Sequence, residues 1–81
     1  MQDSLRLISV FKKADESSIA DINVDHLNIE DLRRIFNPPP DDNNLIYVYP
    51  IGPKEASLLK EIIDIDFNFD ECIYQLDCFA K

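Results

Sequence analysis

The chain has 81 residues, of which 46% are hydrophobic, and sixteen Asp and Glu against eight Lys and Arg give a net charge of −8. This length predicts one domain, residues 1–81, and excludes a second hydrophobic core. The negative field repels phosphate and anionic lipid, so we expect no nucleic-acid partner and no membrane partner; a basic protein is the favoured partner.

The first two predicted strands form a hairpin. Residues 5–13 place apolar side chains on both sides of an extended segment, which indicates an inner strand of a sheet. Residues 14–17 are polar and predict a turn. Residues 18–24 are polar on one side only, so we expect a half-buried second strand. Its apolar side consists of Ala20, Ile22 and Val24.

The first helix is predicted from its cap and its apolar stripe. Asn28 is expected to be the N-cap, with its side chain accepting a hydrogen bond from the N–H of Asp31. The helix must end at Asn37, because three consecutive prolines follow and a residue before proline avoids the α region. The apolar stripe consists of Ile29, Leu32, Ile35 and Phe36.

The second half of the chain adds a short strand, a helix and a long strand. Residues 45–51 are extended, and Pro50 restricts them to a sheet edge or an irregular segment. Pro53 suits the first position of a helix, and residues 72–80 alternate as the last strand. The order β-β-α-β-α-β predicts an α+β fold, with a small antiparallel sheet of three to four strands, two helices on one face, and the last strand beside the first.

The two cysteines indicate a reducing compartment. Cys72 and Cys78 lie in the last predicted strand, about 20 Å apart at the rise of a β-strand, which is too far for a disulfide. We expect them to be reduced and buried, as in a cytoplasmic protein. The sequence also shows no secretory signal and no apolar run long enough to span a membrane.

Two groups of acidic residues are candidates for a partner-binding surface. Asp41 and Asp42 precede Tyr47 and Tyr49, so acids that steer a basic partner would lie beside aromatic anchors. Tyrosines in extended segments also serve as core residues, and this alternative stays open for both. The second group, for which a solvated surface is the alternative, consists of Asp64, Asp66, Asp70 and Glu71.

The same acidic stretch resembles the start of a calcium-binding loop. Residues 64–70 alternate acidic or amide side chains with apolar ones, as the first positions of such a loop do. The sixth position is Phe69 where the loop needs Gly, and the twelfth is Gln75 where it needs Glu. We therefore expect no metal and no other cofactor, and we interpret the acids as solvated.

His26 is the only histidine of the chain. No Gly-rich loop and no nucleophile elbow accompany it, and no cysteine lies near it in the sequence to complete a zinc site. We expect a solvated loop residue, no catalytic residues and no enzymatic activity. A small hydrolase that uses His26 stays open as an alternative.

Four short stretches between Leu7 and Ala80 carry a family resemblance. They are Ile29-Glu30-Asp31-Leu32, Pro40-Asp41-Asp42, Tyr49-Pro50-Ile51 leading into Glu55-Ala56, and Ile73-Tyr74-Gln75-Leu76. With them, the chain resembles small acidic bacterial α+β immunity proteins that are encoded beside polymorphic or contact-dependent growth-inhibition toxins. The resemblance implies a protein that binds and neutralises a cognate toxin domain, a basic nuclease, by stoichiometric and non-catalytic blocking.

Two alternatives use the same acidic surface or the same small size. The first is a phosphate-mimicking inhibitor of a host nucleic-acid-binding protein, since a row of carboxylates can occupy a basic cleft. The second is a structural subunit of a larger assembly, which would expose a continuous apolar patch. For the oligomeric state, we favour a monomer.

Overall fold

A four-stranded antiparallel sheet with two helices on one face forms the fold. The computed structural model describes residues 4–42, 45 and 47–80. The elements follow in the order β1 (Ser4–Lys12), β2 (Ser18–Asn23), α1 (Ile29–Phe36), β3 (Tyr49–Pro50), α2 (Pro53–Leu59) and β4 (Cys72–Ala80). This order confirms the α+β fold and the β-β-α-β-α-β arrangement predicted from the sequence.

The pairing of β1 with β4 occupies the centre of the sheet, whose strand order is β2-β1-β4-β3. It keeps one register from Ser4 opposite Ala80 to Lys12 opposite Cys72. Both strands are therefore inner strands, and the last strand lies beside the first, as predicted. Apolar side chains on both sides of β1 suit this position, because an inner strand is covered on its edges and on at least one face.

The two edge strands are less regular than the sequence predicted. In β2 only Ile22 is half-buried, and Ala20, which was expected to face the core, is exposed. Strand β3 is confined to two residues of the segment 45–51. Leu45 has a left-handed backbone with a φ of 57°, and Pro50 has no N–H to extend the ladder. Ile46 lies outside the described residues.

Helix α1 begins and ends where its capping residues predict. The Asn28 side chain accepts a hydrogen bond of 2.8 Å from the N–H of Glu30. The sequence predicted Asp31 as this donor, but the Asp31 N–H donates to the Asn28 carbonyl at 3.1 Å. Asn37 ends the helix with a φ of 48°, a left-handed conformation that Asn tolerates better than most residues.

Helix α2 begins at Pro53, as predicted, with Gly52 as its N-cap. The Glu55 side chain accepts a hydrogen bond of 2.9 Å from the Gly52 N–H, which is one half of a capping box. The other half needs a side-chain acceptor at the N-cap, and glycine has none. The N-terminus of α2 is thus capped from one side only.

One hydrophobic core joins both helices to the same face of the sheet. Ile8 and Val10 of β1 pair with Leu76 and Tyr74 of β4, and their side chains meet the apolar stripes of α1 and α2. The segment between α2 and β4 adds half-buried aliphatic and aromatic side chains at the border of this core. The buried residues are Ile8, Val10, Val24, Leu32, Ile35, Leu45, Ile51, Ala56, Leu59, Tyr74 and Leu76.

Cys72 and Cys78 are free thiols, and both are half-buried in place of the full burial that the sequence predicted. Cys72 begins β4 and Cys78 lies six residues further along it, so the strand itself keeps them apart. Neither helix in the described part of the chain is long and apolar enough to cross a membrane.

The incomplete cap of α2 generates a stability prediction. The Gly52→Ser variant is expected to raise the free energy of unfolding by about 0.5 to 1 kcal/mol, because the hydroxyl completes the capping box and the unfolded chain loses glycine freedom. Gly52 has a φ of −96°, which serine adopts without strain, and an added Cβ would lie 3.2 Å from the movable Glu55 carboxylate. Urea unfolding measures the change.

Gly52→Ala is the matched control for this variant, since alanine restricts the unfolded chain but supplies no cap. The Gly52→Ser variant should have a higher free energy of unfolding than the Gly52→Ala variant. Equal stability of the two variants would contradict the capping argument.

Candidate protein-binding surface

The segment between α1 and α2, residues 37–52, which we call the joint, contains a buried carboxylate. Asp42 ends a short 3₁₀ turn, Pro40–Asp42, and its side chain is 2% exposed. Its Oδ2 accepts hydrogen bonds from the Tyr47 N–H at 3.0 Å and from the Tyr49 hydroxyl at 2.5 Å. Charge-assisted bonds of this kind offset the cost of removing a carboxylate from water.

Backbone hydrogen bonds of neighbouring residues hold Asp42 in this position. The Asp42 N–H donates to the Pro39 carbonyl at 2.9 Å, and the Asp42 carbonyl accepts from the Leu45 N–H at 3.0 Å. The left-handed backbone of Leu45 costs about 1 kcal/mol, and the complete burial of its side chain offsets that cost. The Tyr49 ring lies 5.9 Å from the ring of Phe36, centroid to centroid, which ties the joint to α1.

The predicted contact residues of the joint therefore separate into two groups. Asp41 is exposed and Tyr47 is 52% exposed, so both can meet a partner. Tyr49 is half-buried and serves the joint itself. The prediction that Asp42 is a surface charge for steering is wrong, because Asp42 is buried and holds the joint together. Val48, which the sequence did not single out, is exposed beside Tyr47.

Residues 64–71, which we call the acidic segment, present carboxylates to solvent. The apolar residues Ile65, Phe67 and Phe69 of this segment are half-buried against the core. The alternation of inward apolar and outward acidic residues confirms the arrangement predicted from the sequence. Its four predicted contact residues, all of them exposed, are Asp64, Asp66, Asp70 and Glu71.

Tyr74 of β4 holds the acidic segment in place. Its ring contacts Phe67 and Phe69 edge-on, with centroid distances of 4.8 and 5.4 Å. Its hydroxyl accepts a hydrogen bond of 2.8 Å from the Asn68 N–H. Burial of this phenol raises the pKa of Tyr74. The contact joins residues of the segment to a separate strand, and no local pattern of the sequence predicts it.

Further hydrogen bonds hold the C-terminal end of the acidic segment, residues 68–71. The Asn68 side chain donates to the Glu71 carboxylate at 3.0 Å, and the Cys72 N–H donates to the Asn68 carbonyl at 2.9 Å. Lys13 lies in the turn that follows β1, and its ammonium group donates a hydrogen bond of 2.6 Å to the Phe69 carbonyl. Asp70 and Glu71 are thus attached to a backbone that is bonded both to β4 and to Lys13 after β1.

The acids of the segment do not converge on a common point. Across the described residues, no three His, Cys, Asp or Glu side chains are placed to hold one metal ion. Asp64 and Asp66 alternate along the chain and are separated by about 6.6 Å where it is extended, whereas Asp70 and Glu71 lie in the turn of residues 69–71. The chemistry available to these carboxylates is the attraction of cations on another surface.

His26 is exposed and lines a shallow groove of about 280 Å³. Asp64 lines the same groove, together with Asn23 and aliphatic side chains of the β2 end and the α2 end. The described residues of the lining supply an imidazole and a carboxylate, and none of them carries a hydroxyl or thiol that could serve as a nucleophile. The groove therefore offers His26 no partner for Ser- or Cys-based catalysis.

The fold and these surfaces define a small acidic α+β domain whose acidic segment exposes its carboxylates to solvent. Residues 5–77 match the family model described as Domain of unknown function (DUF7683). The match covers most of the chain, and the chain belongs to this family. No curated protein matches the chain, and no solved structure matches it.

The buried carboxylate of the joint generates a second stability prediction. Asp42→Asn is expected to lower the free energy of unfolding by about 2 kcal/mol, because hydrogen bonds to a charged acceptor contribute more than neutral ones. The neighbouring Asp41→Asn is the matched control and should change stability by less than about 0.5 kcal/mol, since Asp41 is exposed. Equal effects of the two variants in urea unfolding would contradict the role assigned to Asp42.

The joint also predicts a pH dependence. Burial, and next the hydrogen bond to Asp42, raise the pKa of Tyr49 to about 12. The folded chain thus favours the neutral phenol, so this stabilisation is complete below pH ~10, the usual tyrosine pKa, and is lost as the pH rises toward 12. The measurement is the tyrosinate absorbance of the wild type and of the Tyr49→Phe variant as the pH is raised. The difference between the two curves reports Tyr49 and should titrate near pH 12. A difference that titrates at the usual pKa while circular dichroism shows a folded chain would contradict it.

Proposed function

We propose that this domain is a non-catalytic inhibitor that binds a basic surface of one partner protein in a one-to-one complex. The observation that carries the proposal is the acidic segment, whose carboxylates are exposed while its apolar side chains and backbone are fixed to the core. The partner is a bacterial toxin domain, as the resemblance to immunity proteins implies.

The fixed backbone of the acidic segment supports tight binding. Association costs free energy when loops and side chains must be ordered at the interface, and this cost falls when the binding element is ordered beforehand. Tyr74, Phe67 and Phe69 hold the segment by ring contacts, and Asn68 adds hydrogen bonds on both sides. The carboxylates therefore meet a partner without a folding step.

The charge of the chain supports a basic partner. A net charge of −8 on 81 residues produces a long-range negative field, which steers a cationic surface toward the domain and repels nucleic acid. A nuclease toxin has such a cationic surface, because its cleft binds phosphates. Carboxylates placed in that cleft would exclude the substrate without chemistry.

The joint adds an aromatic contact to the proposed surface. Tyr47 is half exposed, and its backbone N–H is bound to the buried Asp42. A tyrosine on a fixed backbone loses little entropy when it packs on a partner, which is why Tyr is common at binding hot spots. Asp41 is exposed at the start of the same joint and adds a steering charge.

The proposed place of action is the cytoplasm of the producing cell. The two free cysteines support this part of the proposal, since thiols stay reduced in the cytoplasm. An inhibitor located there would block toxin molecules that enter from neighbouring cells.

The test is co-expression with the C-terminal domain of the protein encoded next to this gene, which the proposal expects to be a large secreted protein with a toxin-like C-terminus. We expect a one-to-one complex in size-exclusion chromatography with light scattering, and we expect the domain to restore growth to cells that express the toxin. Asp66→Asn with Asp70→Asn should slow association by about tenfold at low salt, because both carboxylates are exposed on the acidic segment.

Glu16→Gln with Glu30→Gln is the matched control, since it removes two exposed acids outside the acidic segment. Both pairs of substitutions change the net charge equally, so a difference between them reports position and not total charge. Absence of a complex with the adjacent toxin, or equal slowing by both pairs, would overturn the proposed function.

A further inference from the structure

The face of the sheet opposite the helices, which we call the open face, carries apolar side chains at both ends of the β1–β4 pair. A solvated face of an antiparallel sheet normally carries polar side chains. The register shows that β1 and β4 instead place two apolar pairs on this face, Leu5 opposite Phe79 and Phe11 opposite Ile73. Phe79 is 49% exposed and Ile73 is 40% exposed, so this apolar surface is open to a partner.

A buried carboxylate lies at the centre of the open face. Asp77 is 6% exposed and accepts hydrogen bonds from the Ser9 hydroxyl and from the Gln75 side-chain amide. The Gln75 nitrogen lies 3.0 Å from Oδ1 and 3.2 Å from Oδ2. Asp77 forms no ion pair with a Lys, Arg or His among residues 4–42, 45 and 47–80.

The hydrogen bonds leave Asp77 able to accept another donor. A carboxylate offers about four acceptor positions, two on each oxygen. Among the described residues, Gln75 is the only donor to Oδ1, whereas Oδ2 accepts from both Ser9 and Gln75. A buried carboxylate held by neutral donors is costly, and a cation with good geometry would offset that cost.

The rest of the open face has the same sign of charge. Asp21 of β2 lies opposite Ser9 and is the second acid among the paired positions on this face, which contain no Lys or Arg. Glu16 lines a groove of about 180 Å³ with Phe11, Ile73 and Gln75. The open face thus combines apolar surface with negative charge at its centre and its edge.

We propose that the open face is a second protein-binding surface, for a partner segment that places an arginine on Asp77 and apolar side chains on Phe11, Ile73 and Phe79. Arginine fits because its planar guanidinium is weakly hydrated and donates in a fixed fork, which suits buried pairs with carboxylates. The Phe79 ring lies on the same face two residues along β4 and can pack against the guanidinium plane.

The charge of this face selects the occupant. A second copy of the chain would bring Asp21 and Asp77 toward the same acids, which disfavours a symmetric dimer. Nucleic acid would meet repulsion from the same carboxylates. An apolar segment that carries arginine satisfies both properties of the face.

This inference is independent of the proposed function. The acidic segment packs against Tyr74, on the helix side of the sheet, so the open face and the acidic segment lie on opposite sides of β4. A partner can bind the open face whether or not a toxin binds the acidic segment. The two surfaces can therefore be tested separately.

The test uses a defined probe, the blocked peptide acetyl-Val-Arg-Val-amide, titrated into the isotope-labelled protein and followed by NMR. We expect amide shifts at Ser9, Ile73, Gln75 and Asp77. The matched peptide with citrulline in place of arginine has nearly the same shape without the charge, and it should bind about tenfold more weakly. Asp77→Asn should remove the preference for arginine over citrulline.

A second pair of variants keeps the test decisive if Asp77→Asn does not fold. Ile73→Thr and Phe79→Thr change exposed residues of the open face and should weaken binding of the arginine peptide. Val48→Thr is the matched control, since Val48 is exposed on the joint and outside the open face. Peptide binding to this control should equal that of the wild type.

Three results would overturn the inference. They are equal binding of the arginine and citrulline peptides, amide shifts confined to the acidic segment, and self-association of the free protein that shifts the amides of the open face. Failure of toxin binding with normal peptide binding would overturn the proposed function alone.

Discussion

The antiparallel pairing of β1 with β4 is the constraint on which the rest of the structure depends. It joins the first and last strands of the chain, so every other element is placed relative to this pair. One face supplies Ile8, Val10, Tyr74 and Leu76 to the core beneath the two helices. The other face carries Asp77 and its apolar surroundings, so a single pair of strands supports both the core and the open face.

Two polar side chains organise the segments that the core alone would leave loose. Asp42 holds the joint together by accepting hydrogen bonds from Tyr47 and Tyr49. The Tyr74 hydroxyl holds the acidic segment against β4 by accepting a hydrogen bond from Asn68. Each acceptor is buried or nearly so, where an unpaired polar group is costly and a satisfied one fixes a single geometry. The candidate binding residues are exposed because their neighbours are held in this way.

Much of the fold follows from local rules that a sequence expresses directly. The alternation in β1 and β4, the cap at Asn28, the prolines after Asn37 and the proline at the start of α2 each act within a few residues. The exposed acids of the acidic segment were predicted for the same reason, since apolar residues at alternate positions turn their neighbours outward. Family membership adds no function to these features, because the DUF7683 family has none assigned.

The sequence by itself determined the α+β class, the strand order along the chain and the acidic charge, because composition and short-range periodicity carry them. Only the tertiary structure decided that Asp42 is buried, since that depends on a hydroxyl from Tyr49 across the joint. It also brought Ser9 to Asp77, residues 68 positions apart. The Ser9–Asp77 contact depends on the register of β1 against β4, which no local pattern specifies.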